Sequence, residues 1–191
     1  ALPQCIHMVK RFANETPNIL LLRKLGLTSA QAQKFLSSEH LEADLSWLAQ
    51  QGNYLIAYDD SRYPEKLKNI ANPPAVLFVK GNVECLSQAQ IAVVGSRRYS
   101  DYGETCVTYF AGELAASGLV ISSGLALGID GIAHRACLES LGTTIAVLGC
   151  GIAQLYPTCH EHLAARIVEN NGAIISEFPP STRARSEYFR R

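Results

Sequence analysis

Twice in this chain an apolar run empties into a short glycine-bearing turn, and that repetition limits what the chain can fold into. The first case is Ile91-Ala-Val-Val-Gly-Ser-Arg-Arg98 and the second is Ser122-Ser-Gly-Leu-Ala-Leu-Gly-Ile-Asp130, with Gly124 standing 29 residues after Gly95. Each reads as a buried strand passing through a turn into a helix, a geometry that leaves backbone N–H groups aimed at an anion. Two such turns side by side make a phosphate site. Arg97 and Arg98 point to a polyanion, because guanidinium forks match phosphate oxygens bidentately.

The rest of the chain fits around these turns. Short aliphatic runs at 54–57, 75–79, 91–94, 119–122, 144–148 and 173–176 read as strands, and amphipathic stretches at about 101–117, 129–141 and 159–170 read as helices. Strands alternating with helices of that length predict an α/β fold, with a mostly parallel sheet covered on both faces. A further helix is expected around Pro64 to Asn69, and Asn72-Pro73-Pro74 marks a turn after it.

Residues 1–52 carry helical rather than strand periodicity and form a small helical N-terminal region, so that the α/β domain occupies 53–191. Thr28 or Ser29 would cap one helix with Ala32, Phe35 and Leu36 on its face, and Leu41, Leu45 and Leu48 mark the next. The chain stops on Arg183, Arg185, Arg190 and Arg191. That ending reads either as a domain cut before its sheet is complete or as a natural disordered tail.

Composition decides two points. Formal net charge is zero, so binding to nucleic acid has to come from a local basic patch. The six cysteines (Cys5, Cys85, Cys106, Cys137, Cys150 and Cys159) include no C-x-x-C pair and no zinc spacing with histidine; most read as small buried hydrophobes in a reducing compartment. His160 and His162 read as surface or packing residues, and no metal site is expected. The opening residues lack a signal-peptide pattern and no apolar run reaches 18 residues, which predicts a cytoplasmic protein without a membrane partner.

Within the first turn, Gly95 would let the backbone approach a ligand, Ser96 would donate from its hydroxyl, and Ser100 or Asp101 would cap the following helix. The same residues would also serve a plain tight turn with its arginines in water. In the second turn Gly124 and Gly128 bracket Leu125-Ala-Leu127, and Asp130 is read as a structural cap rather than a catalytic acid. His134 shares a helix face with Asp130 and would hydrogen-bond to it in a packed network.

The third turn, Gly149-Cys-Gly-Ile-Ala-Gln154, has dinucleotide-fingerprint spacing at Gly149 and Gly151, with Glu169 lying 20 residues after Gly149. Gln154 replaces the small residue that close helix–strand packing needs, and Pro157 interrupts the helix that should begin there. The turn is read instead as a ligand-facing loop over the same crevice. Tyr156 there is either a stacking platform for a base or sugar or a core or turn residue. Missing are a G-x-x-x-x-G-K-[ST] loop, an acidic cluster for magnesium and a nucleophile elbow, so the crevice reads as a binding site rather than an enzyme's active site.

Taken in order, D-D-S-R-Y-P-E-K-L at 59–67, P-P-A-V-L-F-V-K-G at 73–81, I-A-V-V-G-S-R-R at 91–98, S-G-L-A-L-G-I-D-G-I-A-H at 123–134, T-I-A-V-L-G-C-G at 144–151, Tyr156-Pro157 and I-S-E-F-P at 175–179 closely resemble the DNA-processing protein DprA (Smf) family. The helical start is similar to that family's sterile-alpha-motif-like region. The resemblance implies an extended Rossmann-like domain that binds single-stranded DNA, protects incoming strands during natural transformation and hands them to the RecA recombinase, with no catalytic turnover and no cofactor. By motif position it implies DNA contacts at Gly95, Ser96, Arg97, Gly124 and Gly128; Arg98 joins them on chemistry alone.

Departures from the family pattern are His160, where members have Asn, and Leu127, where several are basic. Tyr188-Phe-Arg-Arg191 resembles only the start of the family's F-P-x-R-N-R stretch and lacks its proline, which implies that dimer-forming and RecA-contacting surfaces lie largely beyond this chain. Two other functions compete. A phosphoribohydrolase-like nucleotide-processing enzyme would use a related fold, although the usual P-G-G-x-G-T-x-x-E loop is missing. A partner-binding scaffold with weak DNA affinity is the other.

Overall fold

The computed structural model describes residue 29 and residues 41–190, so the expected helix bearing Ala32, Phe35 and Leu36 lies outside the described residues. The chain runs α1 (Leu41–Leu48), β1 (Asn53–Ala57), β2 (Val76–Gly81), β3 (Gln90–Ala92), α2 (Asp101–Ala116), β4 (Val120–Ser123), α3 (Ile129–Glu139), β5 (Thr144–Leu148), α4 (Glu161–Glu169) and β6 (Ala173–Ser176). The stretch expected to be helical near Pro64 is a 3-10 turn over Glu65–Asn69.

Among the described residues, six strands join one sheet in the order β1-β2-β6-β5-β4-β3. Strands β3 to β6 are mutually parallel, each neighbouring pair linked through a helix, while β1 and β2 add antiparallel at the far side through β6. This is the Rossmann-like α/β arrangement that alternating strands and helices predict.

Side-chain alternation along the strands divides the interior into two faces. Phe78, Ala146, Leu148 and Ile174 point to one cluster, closed by Leu163 and Ile167 of α4 and by Trp47 of α1. Leu77, Val79, Ile145 and Ala173 point to the other, closed by Ile56, Tyr63 and Leu86. The α1 helix is anchored twice, since Asp44 Oδ1 also accepts from Ser181 N–H at 2.8 Å.

Helices α2 and α3 meet through small residues, Ala111 and Ala115 against Ala133 and Ala136, which lets the helices approach closely above Ile121. The edge strand β3 is exposed along its length, and the outer face of α2 leaves Tyr102, Tyr109 and Phe110 in solvent. Of the cysteines, Cys85, Cys137 and Cys150 are buried, Cys106 is half-buried and Cys159 is exposed.

Gly172 turns the chain from α4 into β6 with no room for a side chain. A Cβ there would collide with Thr144 O and lie 2.7 Å from Ile167 O, both backbone atoms that cannot give way locally. Gly172→Ala is expected to destabilise the fold by more than about 1 kcal/mol, read as a lower urea midpoint with an unchanged slope.

Candidate nucleic-acid interface

The first two glycine turns sit at the carboxyl ends of β3 and β4, and their backbones touch. A Cβ on Gly128 would collide with Ser96 O and lie 2.7 Å from Arg97 Cα, and Gly128 also adopts φ +82, a conformation that glycine takes without strain. From the other side, a Cβ on Gly95 would come within 2.8 Å of the Ile129 side chain. Ile129 N–H donates to Ser96 O at 3.2 Å across the seam. Both glycines are therefore needed to let one loop lie on the other.

Polar side chains brace the same loops. Ser96 Oγ donates to Arg98 O at 2.6 Å and accepts from Arg98 N–H at 3.0 Å, so its hydroxyl hydrogen is used within the turn rather than offered outward. Ser100, not Asp101, caps α2, its Oγ accepting from Gly103 N–H at 3.2 Å. Ser123 Oγ donates to Val93 O at 2.6 Å and ties the two strand ends together.

Asp130 corrects the sequence reading in one respect. Gly128 is the N-cap of α3 and makes no side-chain cap, while Asp130, two residues further, turns back so that Oδ2 accepts from Gly124 N–H at 3.1 Å. The buried carboxylate holds the start of the loop, not the end of the helix. His134 does not reach it either. His134 Nδ1 lies 2.7 Å from Thr144 Oγ1, whose hydroxyl donates to Ile121 O at 2.6 Å, so this nitrogen ties α3 to the sheet while Nε2 is buried without a hydrogen-bond partner.

The third turn divides. Gly151 is buried and does not face the crevice: its N–H donates to Thr182 O at 2.8 Å, and a Cβ would collide with the carbonyl oxygens of Pro179 and Pro180. It is a packing glycine against the segment that follows β6, and Gly149 beside it is half-buried. Tyr156 is 48% exposed and reaches the crevice. The Tyr156-Pro157 peptide bond is cis.

What the fold brings together is a narrow cleft lined by Arg97 of the first loop, Ala126 and Leu127 of the second, and Tyr156 and Pro157 of the third. Arg98 is exposed but lies outside that lining. The amides of Arg98, Gly124, Ile129 and Gly151 all donate within the protein. The array of outward N–H groups expected from the sequence is accordingly smaller, and the cleft relies more on a guanidinium, an apolar wall and an aromatic ring.

Sequence reasoning missed His160 and Ile129. His160 is buried, and its Nδ1 lies 2.8 Å from Leu125 O, the carbonyl of a residue held at positive φ. It steadies the loop that presents Leu127. Nothing in the spacing of His160 signals this, because the contact spans 35 positions. Among the described residues no group of three or more His, Cys, Asp or Glu could hold a metal ion, and no helix is long and apolar enough to cross a membrane.

Burial, with His160 and Arg135 nearby, pushes His134 down to about 3. The unfolded chain takes up a proton near pH 6.5 that the folded chain refuses until about pH 3, so this group's contribution is complete above pH 6.5 and is lost as pH falls through that window. Urea unfolding at several pH values should show His134→Asn losing less stability on acidification than the parent chain, by up to about 1.4 kcal/mol per pH unit.

Comparison with known proteins places these features in context. The profile of the family described as DNA recombination-mediator protein A matches residues 54–191. Protein Smf of Escherichia coli (strain K12) is 46% identical over 162 residues, 84% of this chain and 43% of that protein. DNA processing protein DprA of Bacillus subtilis (strain 168) is 38% identical over 141 residues, 73% of this chain and 47% of that one. The chain thus spans less than half the length of these two relatives.

Among solved structures, DNA processing protein A from Streptococcus pneumoniae superposes with a TM-score of 0.72 at 28% identity, covering 99% of this chain and 67% of that one. The Helicobacter pylori protein, described for its unique single-stranded DNA binding mode, superposes at 0.60 with 31% identity over 66% of this chain and 57% of that one.

Proposed function

Because the chain belongs to the DNA recombination-mediator protein A family, we propose that it binds single-stranded DNA across the cleft where Arg97, Leu127 and Tyr156 meet. The observation that carries this reading is the convergence of those three side chains from three loops, two of them fixed by backbone contact and buried braces. A sugar–phosphate chain needs positive charge along its path and flat surfaces for its bases. Arg97 supplies the first, and the exposed Tyr156 ring supplies the second.

Gly95, Gly124 and Gly128 serve this site by letting the loops pack, and Ser96 by bracing Arg98; Gly149 and Gly151 support the third loop from beneath. In this reading the protein acts in the cytoplasm by holding and protecting an incoming strand and delivering it to the RecA recombinase. It needs no cofactor and makes or breaks no covalent bond. The H. pylori relative's single-stranded DNA binding and the family's description as a recombination mediator support it.

Charge neutralisation makes the reading testable. Arg97→Ala should weaken binding to single strands of every sequence and lower the slope of log affinity against log salt by about 0.7, the share of one phosphate on a single strand. Fluorescence anisotropy with a labelled thymidine homopolymer over a salt series reads both. Unchanged affinity and slope would remove Arg97 from the strand's path.

A further inference from the structure

His160 is hydrogen-bonded to two of the loops that line the cleft. Its backbone N–H donates to Pro157 O at 3.0 Å, and its Nδ1 lies 2.8 Å from Leu125 O. A carbonyl oxygen only accepts, so Nδ1 carries a hydrogen and donates it. Pro157 belongs to the lining of the cleft, and Leu125 directly precedes Ala126 and Leu127, which line it as well. One residue thereby joins the third loop to the second.

The surroundings of the ring confine it to that role. His160 is 8% exposed, and its ring lies on Gly131 of α3, where a Cβ would come within 2.7 Å of Cε1. It stands at the N-cap of α4 yet makes no side-chain cap, so its donor serves a remote loop instead of its own helix. Leu125 is fully buried at φ +55, a backbone conformation that a leucine keeps only when its neighbours hold it.

We propose that His160 is a positioning residue for strand binding, which fixes the second loop against the third and so sets Leu127 relative to Tyr156. It does this from beneath the cleft, without touching the strand. The proposal rests on the reading that the cleft holds single-stranded DNA. Backbone contact at Gly128 sets the first loop against the second, and His160 extends the same order to the third.

Without the tie the loops sample other arrangements, and apparent affinity falls in proportion to the fraction that keeps the binding arrangement. The strand, once bound, meets the same phosphates, so the slope of log affinity against log salt stays where it was. That separates a positioning residue from Arg97, whose removal lowers the slope.

The test measures anisotropy of a labelled thymidine homopolymer with the full chain over a salt series. His160→Leu, which removes the donor, should bind about tenfold more weakly with an unchanged slope, as expected if about a tenth of the molecules keep the binding arrangement. His160→Asn places an amide N–H two bonds from Cβ, where Nδ1 stands, and should stay within about twofold of the parent chain. Gly131→Ala, which pushes the ring off its seat while leaving the imidazole in the chain, should reproduce the loss seen in His160→Leu.

Parent-like affinity in either His160→Leu or Gly131→Ala would overturn the proposal. Equal losses in His160→Leu and His160→Asn would overturn it too, because the donor would then be irrelevant, and so would a lowered slope, which marks a direct strand contact. Failure of the parent chain to bind any strand would instead overturn the single-strand reading. Circular dichroism and urea unfolding establish which variants are folded, and Gly131→Ala carries the test where His160→Leu does not fold.

Discussion

The cleft exists because two stretches of backbone touch. Gly128 lies against Ser96 and Arg97, and Gly95 against Ile129, at separations that a Cβ on either glycine would prevent. Everything exposed at the rim of the sheet follows from that contact. It brings Arg97 to Leu127, gives Ile129 N–H a partner in Ser96 O, and starts α3 where its small residues meet those of α2. A side chain at either position would part the loops before it affected any ligand directly.

Contact alone does not keep loops in place, and the remaining order comes from buried polar groups spent on main chain. Asp130 takes the amide of Gly124, His160 pairs with the carbonyl of Leu125, and Thr144 links His134 to Ile121. These bonds satisfy the Gly124 amide and the Leu125 and Ile121 carbonyls, which matters because an unpaired buried polar group costs about 1–3 kcal/mol; His134 Nε2 is the buried nitrogen they leave without a partner. The same economy has a consequence for binding. Amides used inside the protein are withdrawn from any anion, so affinity in the proposed site depends on side chains, and the guanidinium of Arg97 stands out among them.

The cleft, where a guanidinium meets a leucine and a tyrosine, opens at the carboxyl ends of parallel strands and offers the charge and the aromatic surface that the proposed strand binding calls for. The location is the one that open α/β sheets give to ligands. His134, on α3, is buried, kept neutral by that burial and paired through Nδ1 with Thr144. Tyr156 lines both the cleft and an open hollow beside it.

The amino-acid sequence by itself determined the order of strands and helices, the three turns at one end of the sheet and the arginine beside the first glycine. Apolar periodicity and glycine placement are local properties of neighbouring residues, so the expected strand at 144–148 and the expected helix near 101–117 appear almost to the residue. Only the tertiary structure decided which glycines face open space and which are packed, that Asp130 reaches back to Gly124, and that His160 braces a loop 35 positions away. Those outcomes depend on distances between segments remote in the chain, and a distance of that kind is fixed by how the sheet closes, not by the spacing of residues along it.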